Sequence, residues 1–281
     1  MSSRPRGVSI IAMSETSLEL SAIYVYPVKS LRGALVHEAP LADGRIVGDR
    51  DWLLVDGGGY FMHMRDYPRM ARISAAITSG GLEIQMDGMS PLDVARPTFG
   101  AETPVEHVPL WRRSAAVTSV SREADDWFSR ALGVECRLMA FVPDAAGLNV
   151  PSYETNSSLQ DATPFHLTTE ESLADLNARM GAPIPMNRFR PNLVVRGAAP
   201  YAEDHWKTLA IGETMLRWIK PCTRCVATTT DHETGERPSR EPLYTLARYR
   251  RRGNDVLFGH YLVADAWGDQ LSVGDRVRVI E

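Results

Sequence analysis

Cysteine is scarce in this sequence, with three in 281 residues. That excludes a disulfide-stapled scaffold and makes a reducing compartment the default. Positive charge is not in excess either. The chain has 31 Lys and Arg against 35 Asp and Glu, for a net charge of −4. A global electrostatic footprint for nucleic acid or an anionic membrane is therefore missing. Near the N-terminus "VSIIAM" falls far short of the ~20 apolar residues of a membrane span, and its edges are too polar for a signal peptide. Internal repeats and low-complexity tracts are absent. What is present is a 44% hydrophobic chain, enough for a sizeable core in one large or two smaller domains.

Residues 1–17 are rich in Ser and Arg and read as a flexible leader, with Met13 an alternative start to Met1. The readable fold begins at Leu18. "LELSAIYVYPVKS" alternates until Pro27 breaks it, and "DWLLVD", "YFMHM", "RISAAIT" and "LEIQMD" follow as strands between Gly and Asp turns. "SREADDWFSRALG" places Ala124, Trp127, Phe128, Ala131 and Leu132 on one helical face, with Gly133 as its cap. "CRLMAFV" reads as a strand with Cys136 a buried filler. Residues 143–165 form a long polar stretch of the kind that is functional or mobile.

The second half opens on a helix with a capping box from Thr168 to Glu171 and an apolar face of Leu173, Leu176 and Met180. "RFRPNLVVRG" is a basic turn feeding a strand, and "WKTLAIGETMLRWIK" is two strands around Gly212. A short helix is expected over residues 242–252, stopped by Gly253, with "RYRRR" as its solvated face. Short strands close the chain. The expected fold class is a β-rich α+β protein of two barrel-like units. The expected division is a leader at 1–17, an N-terminal β-rich domain at 18–155 and a second domain at 156–281.

The remaining cysteines stand in "KPCTRCVATTTDHETG", residues 220–235. A structural zinc site wants four ligands, and only His232 stands near this single CxxC. A redox dithiol wants a helix starting at its first cysteine, and the β-branched "VATTTD" is a poor helix start. A third option is one exposed thiolate binding a soft metal carried by an organic cofactor. Such a cofactor, if anionic, needs cationic anchors. Arg224, "RFRPN" at 188–192 and "YPVKS" at 26–30 are candidates. Taken one at a time, each residue also has a plain structural reading. Lys29 and Ser30 fit a surface turn, Arg50 an ion pair with its Asp neighbours, Arg190 and Asn192 a packed turn, and Cys225 a buried thiol. His63 and His166 read as structural residues in strands.

Five segments together resemble the MOSC proteins, and within them the mitochondrial amidoxime-reducing components and their bacterial relatives. They are "IYVYPVKSLRG" at 23–33, "GDRDW" at 48–52, "ATPFHLTTEESLADLN" at 162–177, "NRFRPNLVV" at 187–195 and the cysteine motif itself. The resemblance runs from Leu18 to Ile280. It implies a molybdenum cofactor (molybdenum-molybdopterin) with Cys225 as the metal ligand and catalytic residue. It further implies cofactor contacts from Lys29, Ser30, Arg50, Thr163, Arg190 and Asn192. Asp231 and Gly235 would shape the motif's turn, and Cys222 has no assigned role. The implied activity is reduction of N-hydroxylated compounds such as amidoximes and hydroxylamines. A cofactor carrier or sulfur-carrying binding protein is the alternative. The mitochondrial relatives carry a membrane anchor, and some bacterial ones an iron–sulfur domain. Neither is expected here, which implies a soluble cytoplasmic protein. Its electrons would come from a separate donor, ferredoxin-like or cytochrome b5-like with a reductase. No nucleic-acid or membrane partner is expected.

Overall fold

The alternating "ELSAIYV" forms the strand Glu19–Val25, which buries Leu20, Ile23 and Val25. In the computed structural model, which describes residues 17–111, 113–143, 149–150, 155–156 and 158–281, this strand pairs with Ala34–Val36 on one side and Leu193–Arg196 on the other. Residues 1–16 of the expected leader, Met13 included, lie outside the described residues. The first strand thereby joins a nine-stranded sheet drawn mostly from the second half of the chain. The order is Ala34–Val36, Glu19–Val25, Leu193–Arg196, Phe165–Thr169, Asp255–Ala266, Thr214–Thr223, Thr208–Ile211 and Val277–Val279, with Arg251–Arg252 beside Asp255–Ala266. Among the described pairs of this sheet, Phe165–Thr169 and Leu193–Arg196 alone run parallel. A parallel pair needs a crossover, supplied here by helix α2, Glu170–Arg179, which follows helix α1, Arg122–Leu132.

A four-stranded antiparallel sheet holds Trp52–Asp56, Cys136–Phe141, Arg113–Ser119 and Glu106–Leu110. Helix α1 packs on it through buried Ala124, Trp127, Phe128 and Ala131, each large side chain contributing about 1.5–3 kcal/mol by burial. The Ser121 hydroxyl caps it by accepting from the Ala124 N–H, and Gly133 closes it at φ 73°. Two smaller three-stranded sheets and an antiparallel pairing of Asn149–Val150 with Thr155–Asn156 complete a β-rich α+β architecture. No helix among the described residues is long and apolar enough to cross a membrane.

Local expectations fail in four places. "YFMHM" is not a strand: Phe61 makes an isolated bridge to Val55, and His63 turns to meet Asp66 at 3.1 Å. Helix α2 starts one residue late. Thr168 is committed to the strand, so Thr169 caps by accepting from the Ser172 N–H, while Glu171 accepts from the Gly197 N–H at 2.7 Å. The helix expected over 242–252 is a single turn, α3, Leu243–Leu246. Gly253, at φ 60°, turns the hairpin between Arg251–Arg252 and Asp255–Ala266 instead of stopping that helix. "RYRRR" is accordingly not one solvated helix face, because Arg250 folds inward onto Asp204 in a bidentate pair at 2.6 and 2.8 Å.

One close approach sets the geometry under the functional cleft. Gly259 sits inside the strand Asp255–Ala266 at φ 75°, and a Cβ there would lie 2.5 Å from His166 Nε2 and 2.7 Å from the Leu167 carbonyl. Gly259→Ala therefore combines left-handed backbone strain with a clash. It should cost at least about 2 kcal/mol in chemical denaturation; an unchanged midpoint would refute the packing argument.

The turn at 231–237 docks the second half of the chain onto the first. Arg237 donates to the carbonyls of Met64 and Arg65, and Gly235, at φ 71°, abuts Arg69 and Arg72. Asp231 shapes this turn by accepting the N–H groups of Glu233 and Thr234. Beside it His232 is buried with neither ring nitrogen hydrogen-bonded. Burial, with Arg190, Arg188 and Arg32 nearby, pushes its pKa down to about 3. A base with a lowered folded pKa leaves stability intact above its unfolded pKa of about 6.5 and erodes it as pH falls toward 3. Between pH 7 and pH 5 this site should remove on the order of 2 kcal/mol. Urea melts of His232→Gln should show a pH 7 to pH 5 loss smaller by that amount, and an identical loss would refute the assignment.

Candidate functional site

All seven residues expected at the site, Lys29, Ser30, Arg50, Thr163, Arg190, Asn192 and Cys225, line one cleft. They arrive from separate parts of the sheet. Lys29 and Ser30 follow the strand Glu19–Val25, where Pro27 ends the alternation, and the Lys29 N–H is tied to the Trp52 carbonyl at 2.7 Å. Arg50 comes from the turn before Trp52–Asp56. Arg190 and Asn192 come from the crossover into Leu193–Arg196, and Cys225 from the end of Thr214–Thr223. Ser30, Arg50 and Arg190 all have left-handed backbones, with φ of 69°, 54° and 55°. Non-glycine residues rarely adopt that conformation, and it concentrates at functional sites.

Arg50 and Arg190 both stack over the buried Tyr26 ring, at 4.4 and 4.3 Å from its centroid. Arg50 pairs with fully buried Asp49 and donates to Asn192 Oδ1 at 2.9 Å. Arg190 has no carboxylate partner among the described residues and donates to the Leu31 carbonyl. Burial, with the like charge of Arg50, lowers its pKa to about 10, so it remains cationic at neutral pH. Asn192 ties the floor together. Its Nδ2 donates to the Tyr24 carbonyl at 3.2 Å, and its Oδ1 accepts from the His166 N–H at 3.3 Å.

Lys29 donates to the Leu159 carbonyl at 2.9 Å and pairs with Asp161. Burial lowers its pKa against the opposing pull of Asp161. Burial raises the Asp161 carboxyl, but attraction and hydrogen bonding from Lys29 outweigh that and hold it below the usual range. The Asp161 side chain is 59% exposed, so water screens much of the pair. Thr163 is buried and donates to the Phe165 carbonyl at 3.1 Å.

The two motif cysteines diverge. Cys225 is exposed at the cleft, just ahead of the 3-10 turn Val226–Thr229. Cys222 is buried, and Arg224 Nη1 donates to its Sγ at 2.6 Å. The same guanidinium donates to the Phe189 carbonyl at 2.6 Å and approaches His166 Nε2 at 3.5 Å. Burial and the charge on Arg224 hold the His166 imidazole well below its ordinary pKa, hence neutral.

Several contributors escape the motifs. Ser158 donates to the Asp49 and Arg50 carbonyls, Gln160 donates to the Asp49 carbonyl at 3.0 Å, and Asp161 holds Lys29. They lie in a stretch whose one sequence signal is its length as a polar loop. Tyr261 and His166 also line the cleft; the latter reads from sequence as a plain strand residue. The balance of charge is lopsided. Among the described residues, Lys29, Arg50, Arg188, Arg190 and Arg224 face the cleft against one lining carboxylate, that of Asp161. No group of three His, Cys, Asp or Glu among the described residues could hold a metal ion by itself. The donors thus suit an anion with several hydrogen-bond acceptors, beside an exposed cysteine sulfur of the kind that suits a soft metal.

Comparison with known proteins agrees over most of the chain. Residues 17–135 match the MOSC N-terminal beta barrel domain, and residues 154–278 match the MOSC domain. Mitochondrial amidoxime reducing component 2 of Rattus norvegicus is 32% identical over 279 residues, covering 92% of this chain and 82% of that protein. Component 1 of Homo sapiens is 32% identical over 287 residues, with 93% and 82% covered. Molybdenum cofactor sulfurase of Oryza sativa subsp. japonica is 32% identical over 265 residues, covering 87% of this chain but 32% of the larger protein. The chain belongs to the MOSC family, in the two-part arrangement matched by the mitochondrial amidoxime-reducing components.

Proposed function

We propose that the protein is a molybdenum-cofactor-dependent reductase of N-hydroxylated compounds, amidoximes and hydroxylamines, which takes electrons from a separate donor protein. The observation that carries this reading is the meeting of one exposed thiolate candidate, Cys225, with a five-cation cleft. The names of the relatives point the same way. The fit to the cofactor is chemical. A phosphate-bearing pterin is anionic, and among the described residues Arg190 is a half-buried cation without a carboxylate partner while Arg224 leaves its buried Nε unpartnered. When bound, the cofactor supplies the two-electron redox chemistry.

The residues of this chain hold and orient. Cys225 is the metal ligand. Lys29 brings a point charge, and the Ser30 N–H and hydroxyl add donors beside it for the phosphate. Arg50 and Arg190 supply fixed guanidinium forks, preorganised on Tyr26 and therefore ordered at little further entropic cost. Asn192 and Thr163 position the strands that carry those groups, on the pterin side. Neutral His166, packed against Arg224, adds no second positive charge at that part of the wall. The overall reaction consumes two electrons and two protons, turning an amidoxime into an amidine and water. The free thiols of Cys136, Cys222 and Cys225 suit a cytoplasmic location, which belongs to the same proposal.

The match to the sulfurase favours a second reading, a cofactor carrier or sulfur-carrying protein without turnover. Purified protein assayed for benzamidoxime reduction with dithionite and methyl viologen, alongside molybdenum analysis and oxidised-pterin fluorescence, separates the two. Turnover supports the reductase, and bound cofactor without turnover supports the carrier. Cys225→Ala should reduce turnover to background; full activity with molybdenum still bound would sink its assignment. Lys29→Ala should lower pterin and molybdenum content several-fold, roughly the loss of one charge-assisted contact. Turnover per bound molybdenum should stay within about twofold, since Lys29 holds the cofactor and does no chemistry. Wild-type cofactor content in that variant would remove Lys29 from the site.

A further inference from the structure

The 3-10 turn Val226–Thr229 separates two concavities. Ala227 and Thr228 line the cleft with Cys225, whereas Val226 and Thr229 line a groove on the other side. Four arginines border this groove, Arg237, Arg240, Arg248 and Arg251, and among the described residues no carboxylate lines it. That is a local reversal of sign in a chain whose net charge is −4. Arg237 is committed to the Thr230 hydroxyl and to the Met64 and Arg65 carbonyls. Arg240, Arg248 and Arg251 are exposed and make no ion pair among the described residues. Between them lie Val226 and Tyr244, 40% and 54% exposed. An apolar centre with an aromatic, rimmed by arginines, has the composition of a protein-docking surface.

We propose that this groove docks an acidic one-electron carrier protein, which thereby delivers reducing equivalents beside Cys225. The proposal rests on the reductase reading for its purpose, and on the groove for its place and its charge. Unpaired rim arginines attract a carboxylate-rich partner and speed encounter, while the small apolar centre keeps the complex short-lived, as repeated delivery requires. Each substrate reduced consumes two electrons and two protons. Two reduced carriers therefore dock in turn, each leaves oxidised by one electron, and the protons come from solvent.

The test uses full-length protein and an acidic [2Fe–2S] ferredoxin as the probe. Binding is followed by calorimetry, and turnover with dithionite and methyl viologen is measured in parallel. Arg240→Glu/Arg248→Glu should weaken ferredoxin binding at least about tenfold and leave dithionite-supported turnover unchanged. Raising ionic strength from about 0.05 M to about 0.3 M should weaken wild-type binding in the same direction. The charge-matched control Arg122→Glu/Arg130→Glu, on exposed positions of α1, should bind as wild type. Ferredoxin that ignores the wild-type protein, or binds both double variants alike, overturns the proposal. Groove-dependent binding in a protein with no dithionite turnover overturns the reductase reading and leaves the docking surface standing.

Discussion

Two like charges held over one buried ring are the constraint on which the site depends. Arg50 and Arg190 stack on Tyr26 although burial works against both and the charge of Arg50 works against Arg190. Fully buried Asp49 neutralises only one of them. Breaking such a pair from either side leaves an uncompensated buried charge, which costs about 3–5 kcal/mol. The surroundings are accordingly built to keep Asp49 and Arg50 together. The Asp49 carboxylate accepts from the Tyr26 N–H, and the Ser158 and Gln160 side chains donate to its carbonyl. Among the described residues Arg190 meets a carbonyl and the ring but no carboxylate, so its charge is left without a direct counter-ion.

That arrangement explains why the first strand leaves its own half of the sequence. Tyr26 must lie against Arg190, whose backbone belongs to the crossover into Leu193–Arg196. Pairing Glu19–Val25 with that strand achieves this, and Asn192 locks it by bonding the Tyr24 carbonyl. The left-handed backbones at Ser30, Arg50 and Arg190 are the local cost. Each is on the order of 1–3 kcal/mol, and each persists because ladder and side-chain hydrogen bonds leave it no alternative.

Much of this was legible in the sequence, and the illegible part has a physical pattern. Alternation and caps locate Glu19–Val25, helix α1 and the strands around Gly212, because those signals are local. "YFMHM" fails because strand propensity says nothing of whether a pairing edge exists, and Val55 offers Phe61 a single bridge. The 242–252 helix fails because Arg250 gains a bidentate carboxylate 46 residues away, which no window of sequence contains. The cations of the site could be named from motifs. Asp49 could be named too, as the chain neighbour that pairs with Arg50. Ser158, Gln160 and Asp161, which brace this group from a distant loop, could not, since a partner remote in sequence is chosen by three-dimensional proximity and its residue type is ordinary.

The two cysteines show the same division between the group that acts and the group that holds. A dithiol needs both sulfurs accessible to each other and to a substrate. Here the last residue pairs of the strand Thr214–Thr223 bury Cys222, while the chain turns outward and exposes Cys225. Arg224, between them, points back to the Cys222 sulfur and to the Phe189 carbonyl. Its positive charge thus braces the strand end against the turn that carries Arg190. Cys222 thus holds, through its sulfur, the guanidinium of the residue directly before Cys225. The spacing of two residues is what a strand needs to bury one side chain, spend the next positions on turning, and present the other at the surface.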